Sequence, residues 1–191
     1  MVKLIFRYGT MNSSKTANLL MVAHNYIDQD KKVILIKPKC DTRFGENNIK
    51  SRAFEQGMKA DIILDPKETN LEHSLLLFKN PVAILVDECQ FLSRENIDSL
   101  RNCNLDIPVI CYGLRTDYTG QLFSGSLRLM EIADTIEEIK TVCVWCNNKA
   151  TINAKYLVDD SGEKTIIRNG STEIDLGAEE KYIPICWNCW K

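Results

Sequence analysis

The sequence has no strong charge of either sign. Lys and Arg number 24 against 26 Asp and Glu, a net charge of −2, so there is no global basic field to draw nucleic acid. It has no long apolar run: no stretch approaches the roughly 20 residues of a membrane-spanning helix. The opening, Met1-Val2-Lys3-Leu4-Ile5-Phe6-Arg7, holds too short an apolar run for a signal peptide. The expectation is a cytoplasmic protein that engages neither membrane nor nucleic acid. Histidine is scarce as well. The only two, His24 and His73, fall in helix-like patterns away from any nucleophile or metal cluster, and read as helix-surface or packing residues. With 191 residues, 45% of them hydrophobic, the chain can build one cored domain, or one domain and a small appendage.

One further absence is local. The stretch Gly9-Thr10-Met11-Asn12-Ser13-Ser14-Lys15-Thr16 follows the pattern G-x-x-x-x-G-K-[ST], but Ser14 stands where the second glycine belongs. Glycine tolerates a positive φ and close backbone approach there, and serine does so only with strain. The setting is otherwise right. Leu4-Ile5-Phe6 reads as a strand, and Thr16 to Ile27, with Leu19, Leu20, Ala23 and Ile27 at helical spacing, as a helix. Strand, tight loop and helix cradle phosphate on loop N–H groups and the helix N-terminus. Lys15 would supply a point charge, and the Thr16 hydroxyl could hold Mg²⁺.

Such a site needs a second half. Val82-Ala83-Ile84-Leu85-Val86 runs into Asp87-Glu88-Cys89-Gln90-Phe91. A buried strand would deliver Asp87 to its C-terminal tip, where the carboxylate can hold Mg²⁺ directly or through water. Side-chain alternation would send Glu88 the other way, as a general base beyond the γ-phosphate.

The remaining apolar runs alternate with helical patterns. Lys32–Lys37, Ala60–Leu64, Ile107–Leu114 and Asp134–Val144 read as strands; Lys67–Lys79, Ser93–Arg101 (capped by Ser93) and Ser126–Ile132 read as helices. This predicts an α/β fold, a mainly parallel sheet of the P-loop NTPase type flanked by helices, over residues 1–140. Loops at strand C-terminal ends surround the ligand crevice of such a sheet. That places Arg43, in Asp41-Thr42-Arg43-Phe44-Gly45, within reach of phosphate, and lets Tyr118 and Phe123 wall an aromatic substrate.

The character changes over residues 141–191. Cys143-Val144-Trp145-Cys146 and Cys186-Trp187-Asn188-Cys189 are two C-x-x-C pairs. Without an export signal, paired spacing favours metal over disulfides. Cys143, Cys146, Cys186 and Cys189 would hold a structural Zn²⁺ tetrahedrally, with no position left open for substrate; free thiols or a redox pair are the other readings. Between the pairs, residues 150–180 would form a loop thrown out from this small C-terminal zinc domain. Asp159-Asp160-Ser161-Gly162 and Asn169-Gly170 are hairpin signals, and Ile166-Ile167 and Ile183-Pro184-Ile185 short strands.

These residues, taken in order, resemble the thymidine kinase family of the tetrameric, zinc-containing type found in bacteria and animals. The resemblance spans essentially the whole chain. It is carried by Thr10–Thr16, by Asp41-Thr42-Arg43-Phe44 (D-x-R-[FY]), by Val86-Asp87-Glu88-Cys89-Gln90-Phe91 (V-D-E-[CAG]-Q-F), by Cys111–Asp117, and by Gly177-Ala178-Glu179-Glu180-Lys181-Tyr182 (G-x-x-x-[KR]-Y). This sequence departs from the pattern at Ser14, and Asn153 and Asp175 stand where some relatives carry other residue types.

The resemblance implies transfer of the γ-phosphoryl group of ATP to the 5′-hydroxyl of thymidine and deoxyuridine, in nucleotide salvage. By the same resemblance ATP with Mg²⁺ lies on Gly9, Thr10, Met11, Asn12, Ser13, Ser14, Lys15, Thr16, Asp87, Glu88, Cys89 and Gln90. Lys15 and Arg43 would neutralise the transferring group, and Glu88 would take the hydroxyl proton. Phe91, Leu114 and Tyr118 would flank the base, and Gly177 and Tyr182 would close a lasso-type loop. A homotetramer and feedback inhibition by thymidine triphosphate are also implied. Two other classes fit parts of the sequence. A motor-type ATPase would use Glu88 to activate water, though there is no room for a second ATPase domain. A zinc-ribbon binding module would carry a degenerate phosphate loop, though its tail is not notably basic.

Overall fold

The computed structural model describes residues 2–67, 71–158, 162–168 and 181–191. Six strands form the main sheet: β1 (Leu4–Tyr8), β2 (Lys32–Pro38), β5 (Ile62–Leu64), β6 (Pro81–Val86), β7 (Val109–Gly113) and β8 (Thr135–Glu138). Their order is β5-β2-β6-β7-β1-β8, and every pairing is parallel. Two short strands, β3 (Asn48–Ile49) and β4 (Met58–Lys59), pair separately.

Alternation along the central strands buries both faces, which is why they read as continuous apolar runs. Ile34, Ile36, Ile84 and Val86 pack against Ile97, Leu100 and Leu129, from α3 (Arg94–Arg101) and α4 (Ser124–Ile132). Leu35, Ala83, Leu85 and Tyr112 pack against Leu19, Leu20 and Ala23 of α1 (Lys15–Ile27). Helix α3 begins as its sequence requires: Ser93 Oγ accepts from the Asn96 amide, and the Asn96 side chain accepts from the Ser93 amide. Because the sheet is parallel, the segments after β1, β2, β6 and β7 all leave from one edge.

Two elements are shorter than the sequence suggests. Within the expected 67–79 helix, α2 spans Leu71–Leu75. Leu76 and Leu77 beyond it are exposed, with no apolar face to meet, and the chain passes through Asn80 at a φ of 53° into β6. The expected 134–144 strand ends at Glu138. Its partner β1 stops at Tyr8, where the chain turns into the phosphate loop, so residues beyond Ile139 have no ladder to extend. Of the expected 150–180 loop, Ile152–Val158 is a strand, and Lys164–Ile167 contains the expected short strand at Ile166-Ile167. β9 (Ile152–Val158), β10 (Lys164–Ile167) and β11 (Tyr182–Ile185) form an antiparallel sheet in the order β10-β9-β11. Of the expected turn between β9 and β10, Asp159, Asp160 and Ser161 lie outside the described residues, as do Asn169, Gly170 and Asp175. Helix α5 (Trp187–Trp190) closes the chain. Ala154, Ile183 and Ile185 form a small separate core with Cys143 and Cys186.

Candidate active site

The phosphate loop leaves β1 at Gly9, whose amide donates to the Gly113 carbonyl at 3.3 Å. No larger residue fits there. A Cβ at Gly9 would lie 2.4 Å from the Ile139 carbonyl oxygen. The loop then takes two left-handed residues, Asn12 at a φ of 60° and Ser14 at 63°. Ser14 therefore adopts the conformation that a glycine would take without strain. Lys15 is buried, and its Nζ donates to the Thr10 carbonyl at 2.8 Å. Burial lowers its pKa, against the opposing pull of Glu88 and Asp87. Thr10 Oγ1 and Ser13 Oγ are buried with no hydrogen-bond partner. A buried hydroxyl left unpaired costs about 1–3 kcal/mol, so these two fit a loop shaped to receive phosphate oxygens.

Asp87 and Glu88 follow β6, as expected, but alternation does not separate them. The strand has ended, and Glu88 sits in a left-handed turn at a φ of 48°. The turn divides the acids. Asp87 meets the helix that follows the phosphate loop: Thr16 Oγ1 donates to its Oδ2 at 3.1 Å. Burial, and then the neighbouring Glu88 charge, raise the Asp87 pKa to about 7. A hydroxyl beside a carboxylate is a hard-oxygen donor set that suits Mg²⁺.

Glu88 meets different partners. Arg43 donates to its Oε1, and Gln90 Nε2 donates to its Oε2 at 2.6 Å. Gln90 Oε1 accepts the Leu114 amide at 3.0 Å, so both Glu88 oxygens are oriented from outside. Gly113 makes room for this arrangement, since a Cβ there would lie 2.6 Å from Gln90 Oε1. Arg43 Nε also donates to Asp41 Oδ1 at 2.8 Å. Burial works against the Arg43 charge, but Glu88 and Asp41 outweigh it and raise its pKa. The Cys89 side chain is fully buried in the apolar core.

Aromatic residues stand at the same edge. Phe91 packs edge-on to Phe123, with ring centroids 5.9 Å apart. Tyr118 is buried, 6.4 Å from Tyr182, and Lys155 Nζ lies over both rings. Gly177 lies outside the described residues. Two contributors were not assigned from sequence. Asn153 on β9 accepts the Met11 amide at 2.6 Å, tying the antiparallel sheet to the phosphate loop. Lys37 on β2 is buried at 1% exposure. Lys37 ends an apolar run, which was a signal; Asn153 lay in a stretch expected to be a loop and carried none.

The four cysteines converge. The sulfurs of Cys143, Cys146, Cys186 and Cys189 all lie within 4.8 Å of one another, and those of Cys146 and Cys186 are 3.6 Å apart. A tetrahedron of thiolates with metal–sulfur bonds near 2.3 Å has edges of about 3.8 Å. Burial pushes the Cys143 thiol up, but the Cys186, Trp145 and Cys146 amides outweigh it and bring it down to about 6. This cluster could hold a metal ion.

The thymidine kinase family model matches residues 2–190. The chain belongs to the thymidine kinase family. Among curated proteins, the thymidine kinase of Enterococcus faecalis is 40% identical over 190 residues, covering 97% of this chain and 93% of the relative. That of Streptococcus gordonii is 41% identical over 189 residues, covering 97% and 94%. That of Lactococcus lactis is 37% identical, covering 97% and 95%. Among solved structures, a chain from work on DNA unwinding at forked dsDNA by two coordinating Pif1 helicases matches at a TM-score of 0.41 and 16% identity, over 72% of this chain and 39% of that one. So distant a likeness has no bearing on the chemistry. Among the described residues no helix is long and apolar enough to cross a membrane.

Proposed function

We propose that this protein phosphorylates the 5′-hydroxyl of thymidine, and of deoxyuridine, with the γ-phosphoryl group of ATP. One observation carries the reading beyond family membership: the two adjacent acids are given separate surroundings. Asp87 pairs with Thr16 beside the phosphate loop, and Glu88 is oriented by Arg43 and Gln90. These separate surroundings support a metal-holding role for Asp87 and a proton-accepting role for Glu88.

In this reading the backbone of Gly9–Thr16 and the free hydroxyls of Thr10 and Ser13 bind the ATP phosphates. Thr16 and Asp87 hold Mg²⁺, which when bound offsets charge on the phosphate oxygens. Lys15 and Arg43 balance the charge that spreads over the transferring group. Glu88 accepts the proton of the attacking hydroxyl, a contribution of about 10²–10⁴-fold. Phe91, Leu114 and Tyr118 flank the base, and Gly177 and Tyr182 close over it from the C-terminal segment. Cys143, Cys146, Cys186 and Cys189 hold a structural Zn²⁺. The domain boundary falls between residues 140 and 141. A homotetramer, feedback inhibition by thymidine triphosphate and a cytoplasmic location complete the proposal on the family resemblance, and sedimentation and inhibition assays test the first two.

The direct test is incubation with ATP, Mg²⁺ and each deoxynucleoside in turn. The expected product is the 5′-monophosphate of thymidine, with little from deoxycytidine or the purines. ATP hydrolysis that needs nucleic acid and no nucleoside would replace this reading with a motor ATPase.

A further inference from the structure

Lys37 has no part in the chemistry just described. It stands near the end of β2, in the run Val33-Ile34-Leu35-Ile36-Lys37, and is one of the largest fully buried side chains. An ammonium persists in such a place only where partners replace water. Lys37 has three. Its Nζ lies 3.3 Å from Asp41 Oδ2 and donates to the carbonyls of Asn48 at 3.0 Å and Gly45 at 3.3 Å. All three belong to the segment that carries Arg43, one before it in sequence and two after.

The contacts continue from there. Asp41 uses its other oxygen, Oδ1, for Arg43 Nε at 2.8 Å and for the Arg43 amide at 3.4 Å. Arg43 reaches Glu88. Glu88 is held in turn by Gln90, and Gln90 by the Leu114 amide. Charge alternates along the series Lys37, Asp41, Arg43, Glu88, and the four sum to zero. Without Lys37 the remaining three would sum to −1, beside Asp87 and facing an incoming polyphosphate. Asp41 would also lose the contact that fixes its carboxylate plane.

We propose that Lys37 is a positioning residue for phosphoryl transfer, acting through Asp41 to hold the Arg43 guanidinium at the junction of Glu88 and the phosphate loop. It touches no substrate. Its effect is exerted wholly through Arg43, and the proposal rests on the kinase reading above.

The test is a double-mutant cycle in the full-length protein, pairing Lys37→Met with Arg43→Ala. Alone, Lys37→Met should lower kcat/KM for ATP by about 10²-fold, the size expected when a catalytic group is displaced by about 1 Å. KM for thymidine should stay within a few-fold. In the Arg43→Ala background the same change should cost less than about 3-fold, because coupled residues are not additive. A loss of full size in both backgrounds, or unchanged turnover in Lys37→Met, overturns the proposal. Lys37→Gln, which keeps a donor without the charge, serves if Lys37→Met does not fold. Misfolding of both variants would make Lys37 a purely structural residue and overturn it too. Should the wild-type protein phosphorylate no nucleoside, the kinase reading falls. The same cycle read by calorimetry as ATP affinity still decides Lys37: coupling with Arg43 supports the proposal, and additivity overturns it.

Discussion

In the six-stranded sheet, neighbouring residues such as Ile34 and Leu35 face opposite layers of helix, and both are buried. In the three-stranded sheet, Leu157 and Val158 stand 61% and 57% exposed. The first region has two apolar layers, and each fully buried Ile or Leu there contributes about 1.5–3 kcal/mol. The second has Ala154, Ile183 and Ile185 with four sulfurs at its base. So small a core rarely supports a sheet alone, and a metal bound by the four cysteines would add what apolar burial does not. The first region is stabilised by solvent exclusion, and the second has a thin core beside four cysteines that could hold a metal.

Metal removal should break the contrast most visibly. Metal analysis is expected to find about one zinc per chain. Chelation, or Cys186→Ser, should raise amide exchange throughout β9 and β11 and abolish thymidine phosphorylation, while β2, β6 and β7 stay protected. A metal-free protein with β9 fully protected would show that the small core suffices.

The next perturbations leave both sheets intact and strike the chemistry. Lys15→Met should collapse the rate by about 10²–10³-fold, as when one preorganised charge-stabilising group is lost. Glu88→Gln should lower turnover by about 10²–10⁴-fold with ATP affinity nearly unchanged. Steady-state rates and calorimetry separate the two variants, and an unchanged rate in Glu88→Gln would remove it from the base role.

A gentler probe uses pH. Asp87 titrates near 7 in the folded protein and near 3.9 when unfolded, so over that interval the folded state binds the extra proton. Stability of the metal-free protein should therefore fall as pH rises from about 4 to about 7. Asp87→Asn should flatten that slope, and denaturant titrations across the range would show it.

The smallest effect concerns Ser14. Replacing it with glycine relieves the left-handed strain while adding some unfolded-state entropy. The net gain should be roughly 0.5–1 kcal/mol, read as a higher denaturation midpoint.

Much of this was legible in the residues. The phosphate loop, the strand bearing Asp87, the Ser93 cap and the paired cysteines each follow from local pattern, because each is a short-range requirement of backbone or ligand geometry. The roles proposed for Arg43 and Glu88 rest on strand and loop position together with the family resemblance. What escaped were arrangements set by tertiary context. The end of β8 is fixed by where β1 stops, and Leu76 and Leu77 lack a partner layer, so helical spacing alone overextended α2. The separation of Asp87 from Glu88 arises from a left-handed turn, and two consecutive acids carry no sign of it. Lys37 and Asn153 were assigned no role, because their partners, Asp41 and the Met11 amide, are brought to them by the fold.

The bond from Asn153 to the Met11 amide joins the two regions compared above. It crosses from a strand anchored at the cysteines to the loop expected to take ATP. Two binding sites bridged in this way are thermodynamically reciprocal. Whatever factor bound nucleotide adds to the retention of the metal, the metal must add to the retention of nucleotide. If the four cysteines hold zinc, its loss is expected to weaken ATP binding by that same factor, which calorimetry with and without a chelator would read.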